Sequence, residues 1–160
     1  KFGAPIAVRY PRGEAYDGLG EYREPIVYGK SEMIYEEDTI ALMPVGSMVK
    51  TAVAVRDILK EKGYRVTLVN GRFVKPIDTD MIDQLKENHT LLVTMEENVL
   101  SGGFGEKVRT YTDEQKLEMD VINICIPDEY VEHGNVEQLR KEIGIDADTI
   151  VNKIIEKIKK

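Results

Sequence analysis

The sequence predicts an α/β fold, a three-layer α/β/α sandwich around a mostly parallel sheet of about five strands. Three observations carry this. From about residue 25 onward, short apolar runs alternate with amphipathic helical stretches, the pattern of strand–helix–strand crossovers. Two of the runs, TIALMPV (39–45) and TLLVTM (90–95), are apolar almost throughout, as strands covered on both faces are. Glycines and capping residues stand where the helices should stop and start.

Element by element, PIAVRY (5–10) reads as a short strand. Pro11, Gly13, Gly18, Gly20 and Pro25 then punctuate a stretch with no period, the mark of a linker. A lone strand cannot satisfy its own backbone groups. Residues 1–24 are therefore expected to be the tail of a preceding domain plus a linker, and residues 25–160 the domain proper. IVYGKSEMI (26–34) suits an edge strand, and residues 39–45 a buried one. Gly46 and Ser47 open a helix running to about Lys62, with Ala52, Val55 and Leu59 on its inner stripe and Gly63 as its stop. RVTLVN (65–70) is the next strand.

Asp78 or Thr79 caps a helix that turns Met81, Ile82 and Leu85 inward. The strand at 90–95 follows, then a glycine turn and a helix over 106–115. DVINICI (120–126) is the last strand. Asn135 with Gln138 reads as a capping box for a helix to about Ile143, ended by Gly144. The final helix, 146–160, sets Ile150, Val151, Ile154, Ile155 and Ile158 on one face. Lys157, Lys159 and Lys160 stand at its end, the sign a helix C-terminus favours.

Composition narrows the function classes. A chain of 160 residues makes one domain with a core of its own. Its formal net charge of −7 argues against a nucleic-acid surface, which needs a basic patch. A single Cys permits no intramolecular disulfide and fits a reducing compartment. No apolar run approaches the roughly 20 residues of a membrane helix, and the first ten residues lack the layout of a signal peptide. These features point to a cytoplasmic protein.

Four segments could carry chemistry. Ser101-Gly102-Gly103-Phe104-Gly105 is a strand-to-helix turn of the kind that can cradle phosphate on backbone N–H groups. The dinucleotide fingerprint wants a further glycine where Val108 stands, and the Gly-Lys-Ser/Thr ending of a P-loop is missing. Tight turning and close packing are the plainer reading. Glu96, Glu97 and Asn98 end a strand, at the edge where open α/β sheets place ligands. Adjacent residues of an extended chain point to opposite faces, so the two carboxylates are expected to anchor a loop or an interface rather than share one substrate atom. Arg72 and Lys75, in GRFVKPID, could meet an anion near the same edge, while Pro76 and Asp78 set the turn and helix start. Arg9 and Arg12, in RYPRG, are the strongest anion candidates, because guanidinium forks grip phosphate, while their spacing fits a plain surface loop equally well. His89 and His133 do not lie at metal-ligand spacing from each other or from Cys125, and no metal site is expected. Cys125 lies in a core strand and reads as an inert buried thiol.

RYPRG (9–13), VNGRFVKPID (69–78), VTMEENVLSGGFGE (93–106) and INICIPDEYVEHG (122–134) together resemble the C-terminal part of the 1-deoxy-D-xylulose-5-phosphate synthases. That family of thiamine-diphosphate-dependent transferases is related to transketolase. The resemblance spans nearly the whole chain. It implies a parent enzyme that decarboxylates pyruvate on thiamine diphosphate and adds the two-carbon unit to glyceraldehyde 3-phosphate, feeding isoprenoid and thiamine biosynthesis. In that family a first domain binds the cofactor through Mg with a Gly-Asp-Gly…Asn motif, which this sequence lacks, and a middle pyrimidine-binding domain activates it. Residues 25–160 resemble the third domain, which packs on the middle one and helps build the homodimer.

The resemblance implies that an arginine of RYPRG holds the substrate phosphate, Arg9 in the first place and Arg12 as the second choice. Arg72, Glu96, Glu97, Asn98, Gly102, Gly103 and His133 fall at interface or cleft-edge positions, with no catalytic residue among them. The upstream domains and a second copy are the expected partners, and the chain alone is expected to bind no thiamine diphosphate and to turn over no substrate. Two alternatives stay open. One is the matching domain of a split transketolase or of a 2-oxo acid dehydrogenase beta subunit. The other is a free-standing nucleotide- or anion-binding module built on Gly102–Gly105.

Overall fold

The computed structural model describes residues 3–10, 16–22 and 24–159. One five-stranded sheet runs through it, in the order β1-β3-β2-β4-β5. The strands are β1 (Glu32–Tyr35), β2 (Thr39–Pro44), β3 (Val66–Asn70), β4 (His89–Val99) and β5 (Asp120–Ile126). β2 lies parallel to β3 and β4, β4 lies parallel to β5, and only the edge strand β1 pairs antiparallel, with β3. The helices are α1 (Met48–Glu61), α2 (Thr79–Lys86), α3 (Phe104–Glu114), α4 (Val136–Glu142) and α5 (Ala147–Ile158).

The central strands are apolar on both faces because both faces are covered. Ile40 and Leu42 of β2 pack with Ala52, Val55 and Leu59 of α1 and with Ile150, Val151 and Ile154 of α5. Ala41 and Met43, the alternate residues of the same strand, pack instead with Ile82 and Leu85 of α2 and with Phe104 and Val108 of α3. The three layers are thus α1 and α5, the sheet, and α2 and α3. β-Branched residues are indifferent helix formers, so α5 is held by its buried face. Full burial of an Ile or Val side chain contributes roughly 1.5–3 kcal/mol.

Cap chemistry follows the sequence closely. Asp78 accepts from the Met81 N–H at the start of α2, and also from the Ser31 N–H, tying that helix to the chain before β1. Asp146 accepts from the Thr149 N–H at the start of α5. Asn135 caps α4 by accepting from the Glu137 and Gln138 N–H groups. The expected reciprocal half of a capping box is not made, because the Gln138 amide donates forward to Glu142.

Three further expectations are corrected. Residues 5–10 form no strand but an exposed, irregular segment; among the described residues nothing offers them a ladder, and a strand without one leaves its backbone groups to water. The edge strand begins at Glu32, six residues later than the apolar pattern places it, because residues 26–31 make a turn and loop. Met81 and Ile155 are only partly buried, and Ile158 is exposed.

Candidate functional site

The fold itself selects one place for a site. The crossover after β2 runs through α1 to β3 on one side, while the crossover after β4 runs through α3 to β5 on the other. The carboxyl ends of the adjacent strands β2 and β4 therefore flank a topological switch point, where two loops part and leave a crevice. Residues 45–47 come from one strand, and residues 96–103 from the other.

The end of β4 is irregular. Met95 pairs with Ile124 and Val99 with Ile126, so Glu96, Glu97 and Asn98 together face the single residue Cys125. Such a bulge bends the strand and re-aims its side chains. Glu96 turns towards the layer of α2 and α3. It is 3% exposed, and its carboxylate accepts from the Phe104 N–H at 2.9 Å and the Gly105 N–H at 2.7 Å. Gly102 donates to the Glu106 carboxylate at 2.6 Å, and Gly103 to the Leu100 carbonyl at 2.9 Å. Every backbone N–H from Gly102 to Gly105 is thus filled by an acceptor of the chain itself. The dipole end of α3 is neutralised by an internal carboxylate, where an anion-binding turn would keep those donors open. The turn is built for close approach: a Cβ on Gly103 would stand 2.6 Å from the Val99 carbonyl and 2.7 Å from a Glu96 oxygen.

Glu97 turns the other way. Its carboxylate accepts from the Ser47 hydroxyl just before α1 and from both Nε and Nη2 of Arg140 on α4, the Nε bond being 2.9 Å. Its backbone carbonyl accepts from Arg9 Nη2 at 2.9 Å. Burial taken alone is the largest single influence on this carboxyl and would raise its pKa. The Ser47 and Arg140 bonds and the charges of Arg140 and Arg9 outweigh it and hold the group below the ordinary glutamate value. Beside the cluster opens a small cavity of about 170 Å³, lined by apolar side chains such as Ile126, Leu139 and Ile143, with Glu97 and Arg140 at its polar end.

The other sequence candidates fall elsewhere. Arg72 sits across the sheet at the β1 edge, where its guanidinium pairs with the buried Glu32 and donates to the Glu24 carbonyl at 3.3 Å. These three residues and Lys30 line an open cleft of about 530 Å³. Asn98 is half-buried in the β4 bulge, and His133 is exposed on the loop between β5 and α4. Arg12 lies outside the described residues. His89 is buried, with Nδ1 bonded to the Leu85 carbonyl and Nε2 to the Thr67 hydroxyl, both at 2.7 Å. Cys125 is only half-buried, on the edge strand β5; desolvation first, and then the Glu96 charge, raise its pKa.

Ser47 and Arg140 were missed in the sequence. Ser47 reads as a helix opener, and Arg140 falls within the helix expected to run to about Ile143, with no role given to it. The one signal that could have found Ser47 is its place directly after an all-apolar strand at the sheet's carboxyl edge. Among the described residues no group of three or more His, Cys, Asp or Glu side chains is placed to hold a metal. No described helix is long and apolar enough to cross a membrane.

Residues 29–150 match the family described as transketolase, C-terminal domain. A 1-deoxy-D-xylulose-5-phosphate synthase of Lachnoclostridium phytofermentans is 49% identical over 154 residues, covering 96% of this chain and 25% of that protein. One of Dehalococcoides mccartyi is 40% identical over 157 residues, covering 96% of this chain and 24% of its own. The chain therefore spans about a quarter of the length of these curated relatives. Among solved structures, a "split gene transketolase, inactive beta4 tetramer" superposes with a TM-score of 0.76 at 21% identity, over 82% of this chain and 43% of that one. The transketolase of Campylobacter jejuni subsp. jejuni gives 0.53 at 15% identity, over 82% and 19%. At these identities the two structures speak for the fold.

Proposed function

The chain belongs to the transketolase C-terminal domain family, and from that premise we propose that it is the C-terminal section of a cytoplasmic, thiamine-diphosphate-dependent synthase joining pyruvate to glyceraldehyde 3-phosphate to give 1-deoxy-D-xylulose 5-phosphate. The observation that carries this reading is the extent of the likeness. At 49% identity it covers 96% of the chain, more than the 29–150 of the family domain itself.

In this reading residues 1–24 end the pyrimidine-binding domain, and Arg9, or as second choice Arg12, holds the substrate phosphate. Residues 25–160 brace that domain and the homodimer. Thiamine diphosphate and Mg are held by the upstream domains. The internal filling of the Gly102–Gly105 donors supports a bracing role over a nucleotide-binding one. Ile6, Val8, Tyr10, Ile26 and Val27 are strongly exposed apolar side chains, as expected of a surface that packs on a further domain or a second copy.

The test is a chimera. This section replaces the C-terminal quarter of the Lachnoclostridium phytofermentans synthase, and product is assayed from pyruvate and glyceraldehyde 3-phosphate. Turnover is expected from the chimera and none from the isolated section. A folded chimera that binds thiamine diphosphate yet forms no product would sink the assignment, and turnover by the isolated section would sink the division of labour.

A further inference from the structure

We propose that Ser47, Glu97 and Arg140 form a latch that positions Arg9, so that the carboxyl edge of this domain's sheet sets the aim of the arginine that grips the substrate phosphate. The inference rests on the proposed phosphate role of Arg9 and deepens it.

An exposed arginine keeps one direction only where something holds it. Residues 5–10 have no strand partner among the described residues and no buried side chain. Within this chain, without the domain that Ile6, Val8 and Tyr10 would pack on, such a segment gains little from packing, and the polar bonds it makes carry its order. The bond from Arg9 Nη2 to the Glu97 carbonyl spans 88 residues of sequence. It reaches from the segment to the switch point of the sheet.

The acceptor is itself braced. The Glu97 peptide lies in the β4 bulge, and its side chain is pinned by Ser47 from the β2–α1 loop and by Arg140 from α4. Two separate elements thus converge on the strand residue that receives Arg9. The Arg140–Glu97 contact uses two guanidinium nitrogens on one carboxylate oxygen, which fixes direction as well as distance. Arg9 uses one of its five N–H donors on the carbonyl, and its exposed fork keeps further donors for a phosphate. The half-buried Glu97 carboxylate adds a directing charge to that bond.

Glu97 is thus a positioning residue, and Ser47 and Arg140 act through it. None of them needs to touch substrate. A latch of this kind would make affinity for the phosphorylated substrate depend on a domain that carries none of the reaction chemistry.

Two measurements test this. In the chain itself, tryptic cleavage after Arg9 reports how long the guanidinium is engaged. E97Q removes the directing charge and is expected to speed that cleavage about two- to fivefold, the size of a surface-grade charge interaction, with the melting temperature nearly unchanged. S47A moves it less, in the same direction, and E97D restores part of the protection. In the full-length enzyme that carries this section, E97Q is expected to raise KM for glyceraldehyde 3-phosphate by a similar factor. KM for pyruvate, turnover of unphosphorylated glyceraldehyde and kcat should stay level.

Cleavage at the wild-type rate in E97Q overturns the latch. Faster cleavage with an unmoved KM overturns its positioning role, provided that R9A does raise that KM. If R9A leaves KM untouched, the phosphate reading of Arg9 fails instead, and the proteolysis alone decides whether the latch exists.

Discussion

Glu96 and Glu97 are neighbours on one strand, and they do opposite things. Glu96 is buried and has only backbone N–H partners, at the first turn of α3. Glu97 is half-buried and has only side-chain partners on its carboxylate, from two other elements. The difference teaches that a carboxylate at the edge of an α/β sheet is not a site by virtue of its position. The pleat turns the first into the packed layer of α2 and α3, where it replaces the anion that a glycine turn could have bound. The second is turned into the crevice, where it gathers the charged groups that link the sheet to residues 5–10.

The comparison breaks most directly by truncating each residue in turn. Glu96→Ala should be the larger loss, because it orphans two buried N–H groups, each worth about 1–3 kcal/mol when left unsatisfied. A fall in melting temperature of about 10 °C is the corresponding reading for a domain of this size. Glu97→Ala should cost about 1 kcal/mol or less, as exposed and half-exposed pairs do. Equal losses in thermal melts of the two variants would remove the distinction.

Two glycines sharpen the Glu96 side. Gly103→Ala drives a Cβ to 2.6 Å from the Val99 carbonyl and against Glu96, an overpacking of about 1–3 kcal/mol. Gly102→Ala meets no atom within 4 Å but must keep a φ of +71°, a conformational penalty of about 1 kcal/mol. Urea denaturation of the two variants should rank them in that order. The reverse order would mean that backbone conformation, not contact with Glu96, governs the turn.

The smallest effect concerns pH, and it belongs to Glu97. Its folded-state pKa lies below the ordinary glutamate value, which is about 4.3. Such a group contributes stability that is fully present above the unfolded value and is lost as pH falls through the folded one. Tryptic accessibility after Arg9 is unsuited to acid, so hydrogen exchange of residues 5–10 is the measure. Protection should be level from pH 8 down to about 5 and should fall only in more acid solution. Loss of protection near pH 6–7 would point to a histidine and away from Glu97.

Much of the fold was legible in the residues themselves. The mostly apolar runs at 39–45 and 90–95 suit strands covered on both faces, and β2 and β4 lie inside the sheet, away from its edges. DVINICI matched β5 residue for residue. Asp78 and Asn135 capped α2 and α4 because a short side-chain acceptor beside free N–H groups acts locally and needs no tertiary partner. The pleat leads one to expect that the two adjacent glutamates part to opposite faces, and they do so inside a bulge that also re-aims them. The strand expected at 5–10 failed for the complementary reason: β-propensity states only that a segment fits a sheet, and a sheet edge must be present to receive it.

What the sequence by itself determined is therefore the part of this protein controlled by near neighbours: the alternation of strands and helices, the caps, the glycine stops and the apolar faces. Tertiary structure alone decided which distant groups meet. The bulge that sets Glu96, Glu97 and Asn98 against Cys125 breaks the period of two on which strand reading depends. The filling of the glycine turn by Glu96, and the meeting of Ser47, Arg140 and Arg9 at Glu97, join residues up to 88 positions apart. Periodicity and propensity fall off within a few residues along the chain. Charge pairing and hydrogen bonding depend on distance through space, and that distance exists only once the sheet has brought its carboxyl ends together.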